Sequence, residues 1–175
     1  MGGGEGDGTM QSSAGPGRER AAALPLAELL ACPPATADLL NASARYVEFV
    51  AGETIFRQGA KCEGIYIVVS GQLQRKAERL QARVVLGPVH AGEIVELAAA
   101  LGDGLHTYNL TAQSSGSLMM LPLHALEQAF RLYPTLRMQL LAELAREVSR
   151  AYVSCCATRL AGLRRRPGRV SGAHV

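Results

Sequence analysis

The residues best placed to do chemistry lie in one stretch, Gly92 to Ala112, which reads GEIVELAAALGDGLHTYNLTA. It sets a short apolar helix between two turn signals inside a region otherwise patterned for strands. Glu96 and His106 bracket that helix and the loop Gly102-Asp103-Gly104, so any binding site is expected here. Catalysis has no comparable signal. Nucleophilic chemistry needs a Ser or Cys near a base and an orienting acid, but the chain has no G-x-S-x-G, and His90, His106, His124 and His174 stand in unrelated contexts. A metal enzyme on a β-roll would need closely spaced histidines with a glutamate. There is no His-x-His, and His90, His106 and Glu96 would have to converge from separate contexts. Cys32, Cys62, Cys155 and Cys156 lack CxxC spacing, so no metal site and no redox pair is assigned. Cys155 and Cys156, adjacent in a helical pattern, point to different faces and do not pair.

The elements that must position this stretch are mostly short strands. Val47-Glu48-Phe49-Val50 alternates, Ala51-Gly52-Glu53 turns, Thr54-Ile55-Phe56 is a strand, and Gln58-Gly59 turns again before Ile65-Tyr66-Ile67-Val68-Val69. Ser70-Gly71 reverses the chain into Gln72-Leu73-Gln74. Gln74 to Arg83, rich in charge, is predicted to be an exposed hairpin connection with a solvated face, and Val84-Val85-Leu86 resumes the sheet. Asn109–Gln113 and Ser117–Leu121 give the last strands. The spacing of strands and glycine turns predicts a β-roll or jelly roll. Helices flank it. One starts at Ala21 and ends at Cys32-Pro33-Pro34, a second spans Ala35–Ala44, and a third spans His124–Leu132.

Pro134 opens a long helix that runs to about Arg165, about 40 Å at the rise of an α-helix. Leu141, Leu144, Val148, Ala151 and Cys155 repeat at alternating three and four, a heptad-like seam, with Leu140 and Tyr152 beside it. A helix of this length has more apolar stripe than a small β-roll covers, so a homodimer through it is expected.

The motif Phe-x-x-Gly-Glu-x-Ile-Phe-x-Gln-Gly at Phe49–Gly59, followed by Ile-Tyr-Ile-Val-Val-Ser-Gly at Ile65–Gly71, closely resembles the first half of the cyclic-nucleotide-binding β-roll of Crp-Fnr-type regulators. Gly92–Ala112 resembles the phosphate-binding cassette of that family. Glu96-Leu97-Ala98 matches its Glu-Leu-Ala, and Thr107 falls where a small residue follows the arginine. Two positions depart: Val95 or a gap replaces the glycine before the glutamate, and His106 replaces the phosphate-clasping arginine. The resemblance implies a phosphate held by helix N–H groups and a guanidinium, with Glu96 accepting from the ribose 2′-OH. Histidine, with an ordinary pKa of roughly 6.5, supplies fewer donors and less charge, so binding of cyclic AMP or cyclic GMP is expected to be weak. On the long helix, Ala151 and Tyr152 fall where the family meets the purine.

Composition bounds the rest. At 175 residues and 48% apolar, one domain with tails is expected: residues 21–133 as the roll with its N-terminal helices, 134–165 as the dimerisation helix, and tails at 1–20 and 166–175. The Gly/Ser-rich first tail is too poor in apolar residues to order itself. A net charge of +3, partly from Arg164, Arg165, Arg166 and Arg169, does not by itself argue for nucleic acid. The chain stops where the family continues into a helix-turn-helix, so specific DNA binding by this chain alone is not expected. No signal peptide or run of roughly 18 apolar residues is present, so a cytoplasmic, non-membrane protein is expected. With no catalytic motif, it is expected to be a regulatory module rather than an enzyme, the alternative being a ligand-free interaction or dimerisation module or a truncated transcription regulator.

Overall fold

The computed structural model describes residues 25–79 and 82–164. The expected tails at 1–20 and 166–175, and the side chain of Cys155, lie outside the described residues. In order, the elements are α1 (Leu26–Leu29), α2 (Pro34–Ser43), β1 (Arg45–Phe49), β2 (Thr54–Phe56), β3 (Gly64–Ser70), β4 (Leu73–Arg79), β5 (Ala82–Val89), β6 (Ile94–Val95), α3 (Leu97–Leu101), β7 (Asn109–Ala112), β8 (Gly116–Pro122), α4 (Leu123–Leu132) and α5 (Thr135–Arg164). The strands form two antiparallel four-stranded sheets, ordered β1-β8-β3-β6 and β2-β7-β4-β5. This is the expected β-roll followed by a long C-terminal helix.

The unbroken apolar run of β3 has a direct cause. Tyr66 and Val68 face the second sheet and join Phe49, Phe56, Leu110 and Leu118 in the inter-sheet core. Ile65 and Ile67 point the other way and pack with Leu26, Leu40, Leu126, Leu136 and Leu140 of the helices. A strand buried on both faces reads as a continuous apolar stretch rather than an alternation. The β3–β8 contact is also close at the backbone. A Cβ on Gly64 would lie 2.1 Å from the Leu121 carbonyl oxygen, so glycine alone fits.

One expectation is corrected. The charged stretch Gln74–Arg83 is not a loop connection: β4 runs through it to Arg79 and pairs with β5, from Arg79 opposite Ala82 to Leu73 opposite Val89. Its charges masked a strand because sheet pairing, not side-chain polarity, decides the backbone here. Nor is its face wholly solvated, since the Arg75 side chain is only 15% exposed.

The long helix divides its apolar residues between two directions. Leu136 and Leu140 are buried in the helical core and Leu144 packs against it. Met138, Leu141, Val148 and Tyr152 remain exposed, at 65%, 37%, 58% and 71%. Among the described residues, no helix is long and apolar enough to cross a membrane.

Candidate functional site

The stretch Gly92–Ala112 folds as β6, α3, a loop and β7, and two backbone devices fix its side chains. β6 hangs on β3 through the pairs Tyr66–Val95 and Ile67–Ile94. Immediately after it, Glu96 takes φ = +71°, a left-handed conformation that non-glycine residues rarely adopt and that costs about 1 kcal/mol. This turn directs the chain into α3. The second device is a short backbone ladder between the loops on either side. The His106 N–H donates to the Ala60 carbonyl, the Gly59 N–H to the His106 carbonyl and the Cys62 N–H to the Gly104 carbonyl, each at 2.8 Å. Lys61 and Leu105 pair at its centre.

These devices bring Glu96 and His106 together. Oε2 of Glu96 lies 2.9 Å from Nδ1 of His106, and the side chains are 0% and 3% exposed. The imidazole stacks on Phe56, with ring centroids 3.9 Å apart and planes 5° from parallel. Burial, then the charge of Glu147, pushes the Glu96 carboxyl up to about 8. Burial also lowers the His106 imidazole from its ordinary value, against the pull of Glu63. Both shifts favour a pair with no net charge, one proton being shared between carboxyl and ring. The Glu96 backbone N–H donates to the Tyr108 hydroxyl at 3.2 Å. The other carboxyl oxygen, Oε1, makes no hydrogen bond of ordinary length among the described residues, although the Tyr108 hydroxyl and the Thr107 backbone stand near enough to the carboxyl to oppose its upward shift.

Between the cassette and α5 lies a cavity of about 120 Å³, bordered by Glu96, Ala98, Thr107 and Tyr108 on one side and by Leu144, Val148 and Ala151 on the other. Three of the expected site residues, Glu96, Ala98 and Thr107, therefore meet around one space. Leu97 and His106 do not. Leu97 is buried in the helical core, and His106 in the core beside Phe56. Tyr152 is 71% exposed and does not border the cavity, although Ala151 does.

Arg75 and Glu147 border the same cavity, and sequence reasoning missed both. Arg75 on β4 reaches across to bond Glu147 on α5, with side chains only 15% and 14% exposed. Its guanidinium also sits 6.0 Å from the Tyr108 ring centroid. Burial lifts the Glu147 carboxyl while Arg75 opposes the shift. A larger recess of about 400 Å³ lies along α5, between Leu30, Ile94, Gln139 and Arg146, and Arg75 and Glu147 border it too. It touches none of Glu96, Ala98 or Thr107, so the smaller cavity is the one relevant to the cassette.

Of His90, His106 and Glu96, which the sequence sets in separate contexts, two come together. His90 stays apart, half exposed beside Glu93. Glu96 and His106 do meet, and the third group is Cys62, with one ligating atom of each within 4.8 Å of the others. The loop ladder supplies Cys62, a pairing that residue spacing along the chain does not reveal.

A family model described as a cyclic nucleotide-binding domain matches residues 46–133. Comparison with curated proteins finds no match. Among solved structures, the Thermus thermophilus catabolite activator protein is similar with a TM-score of 0.62 and 23% identity, covering 73% of this chain and 60% of that one. The c-di-GMP-responsive global regulator CLP of Xanthomonas campestris is similar with a TM-score of 0.59 and 21% identity, covering 74% of this chain and 65% of that one. The sensor domain of the transcriptional regulator DNR from Pseudomonas aeruginosa matches with a TM-score of 0.59 and 20% identity, covering 68% of this chain and 90% of that one. The chain spans less than two thirds of the length of the first two.

Proposed function

Because the chain belongs to the cyclic nucleotide-binding domain family and has Crp-type regulators as structural neighbours, we propose that it is a non-enzymatic regulatory module with a weakened response to cyclic AMP and cyclic GMP. The observation that carries this reading is the burial of Glu96, whose carboxyl is bonded through Oε2 to His106 in the core and is almost wholly closed off from a ribose hydroxyl. His106 itself is buried and held toward its neutral form, so it supplies little charge to a phosphate. The cavity agrees: about 120 Å³ falls short of the roughly 300 Å³ at which small-molecule pockets begin.

In this reading residues 21–133 are the effector roll and 134–165 the helix that joins two copies. Support for the dimer comes from the exposed positions Met138, Leu141, Val148 and Tyr152, which with Ala145 between them repeat at alternating three and four. This seam is rotated from the one read in the sequence: Leu141 and Val148 are shared, Val148 being exposed while also edging the cavity, whereas Leu144 packs against the helical core and Ala151 borders the cavity.

Calorimetric titration of the full chain with cyclic AMP and with cyclic GMP is the test. No saturable heat in the micromolar range is the expected result. Binding at micromolar affinity or tighter, about −8 kcal/mol or more, would show that the pocket opens readily and would overturn the weakened response.

A further inference from the structure

Within the roll, Cys62, Glu96 and His106 are 1%, 1% and 4% exposed, yet they bring three different ligating atoms to within 4.8 Å of one another. We propose that these three side chains form a zinc(II) site that ties the cassette to the loop between β2 and β3. The donor set selects the metal. A sulfur, an imidazole nitrogen and one carboxyl oxygen suit borderline-soft Zn²⁺, whereas Ca²⁺ and Mg²⁺ require six or more oxygens. The charge also balances, since a thiolate and a carboxylate together neutralise a divalent ion in surroundings that tolerate no net charge.

The geometry is close to what zinc requires. Bonds of about 2.0 Å to nitrogen or oxygen and about 2.3 Å to sulfur give tetrahedral ligand–ligand edges of about 3.3–3.6 Å. One ligating atom from each residue already lies within 4.8 Å of the others, so small side-chain shifts would bring the three to those edges, with Oε1 of Glu96, the oxygen not bonded to His106, as the carboxyl ligand. One feature points to a ligand beyond the clustering itself: Oε1 of Glu96 is fully buried and makes no hydrogen bond of ordinary length among the described residues, and a buried acceptor left so is costly unless a further group satisfies it. Coordination would leave one position for a water or a backbone oxygen, as in other three-ligand zinc sites.

The ligands come from the loop before β3, the end of β6 and the loop before β7. Zinc would therefore fix the cassette against the roll. The inference rests on the inward-turned Glu96 that the functional reading also uses, but the two fail separately: nucleotide titration probes the cavity, metal retention the cluster.

The experiment uses the full chain, stripped with a chelator, dialysed against zinc chloride and assayed for bound metal, with zinc-edge X-ray absorption on the loaded protein. One zinc per chain, with one sulfur and otherwise nitrogen or oxygen neighbours, is expected. Cobalt(II) in its place should give a thiolate-to-cobalt absorption band. Cys62→Ser and His106→Ala should lose the stoichiometric metal, while Cys32→Ser and His90→Ala should keep it. Should the Cys62 and His106 variants fail to fold, the wild-type absorption spectrum and the cobalt band decide alone. Absence of tightly held zinc, a metal without a sulfur neighbour, or equal retention in folded Cys62→Ser would each overturn the site.

Discussion

Two carboxyls border the cassette cavity, and their partners make them behave differently. Glu96 is wholly buried and bonded to an imidazole; Glu147 keeps 14% of its side chain exposed and is bonded to a guanidinium. An imidazole can give up its charge, so the Glu96–His106 pair remains net neutral and tolerates complete enclosure. A guanidinium cannot, so Arg75–Glu147 needs the solvent edge that α5 leaves it. The contrast separates two tasks. The inner pair fixes the cassette within the roll, and the outer pair fixes α5 over it.

The sharpest way to break the contrast is His106→Ala, which strands the Glu96 carboxyl and leaves a hole against Phe56. A loss of about 3 kcal/mol is expected in urea unfolding of metal-free protein at pH 7. Replacing both residues, as Glu96→Leu with His106→Leu, should recover most of it. If the single variant cost less than about 1 kcal/mol, the inner pair would not be holding the cassette.

The second expectation concerns pH and is measured with chelator present. Glu96 titrates at about 8 in the folded chain, above an ordinary carboxyl value of 4.5, so the folded state holds a proton that the unfolded state releases. That contribution is complete below pH 4.5 and is lost as pH rises through about 8. His106 acts oppositely, because its lowered value costs stability only as pH falls below its ordinary 6.5. Between pH 6.5 and 8.5 the His106 effect is past and the raised Glu147 carboxyl acts in the same direction as Glu96, whose own share should lower stability by about 1–2 kcal/mol. Glu96→Gln should flatten that slope; a slope unchanged in the variant would assign it elsewhere.

Arg75→Ala tests the outer pair. It should cost about 1–2 kcal/mol, leave Glu147 to neutralise, and remove a side chain that borders both recesses. Stronger cyclic nucleotide heat in this variant than in the wild type would mark α5 as the closure of the pocket. Equal silence from both would place the block at Glu96. The smallest expected change in the stability of the single chain comes from Leu141→Glu with Val148→Glu, within about 0.5 kcal/mol because both positions are exposed in it. Sedimentation of the proposed dimer should nevertheless shift to monomer, and an unchanged coefficient would remove the seam.

The roll was readable because its signals are local. A turn glycine, an alternating strand or the doubly buried run at Ile65–Val69 each states its requirement within a few residues. The direction of Glu96 and His106 was not readable, because the pairing of residues 59–62 with 104–106 sets it. Cys62 and Arg75 were missed for the same reason, their partners lying far along the chain on other elements. The charges of β4 misled in the opposite sense, marking as exposed a strand that carries the arginine covering the cavity.

β3 pairs with β8 along most of its length and with β6 on its other edge, and both of its faces are buried. Its amides should exchange with heavy water only when the whole roll unfolds. β6 holds to that strand by two residue pairs. The most protected segment of the chain therefore adjoins a very short ladder, and deuterium should enter Val95 and α3 through small openings that never reach Tyr66. Exchange at those cassette amides reports how firmly the cassette is fastened, independently of the stability of the fold that carries it.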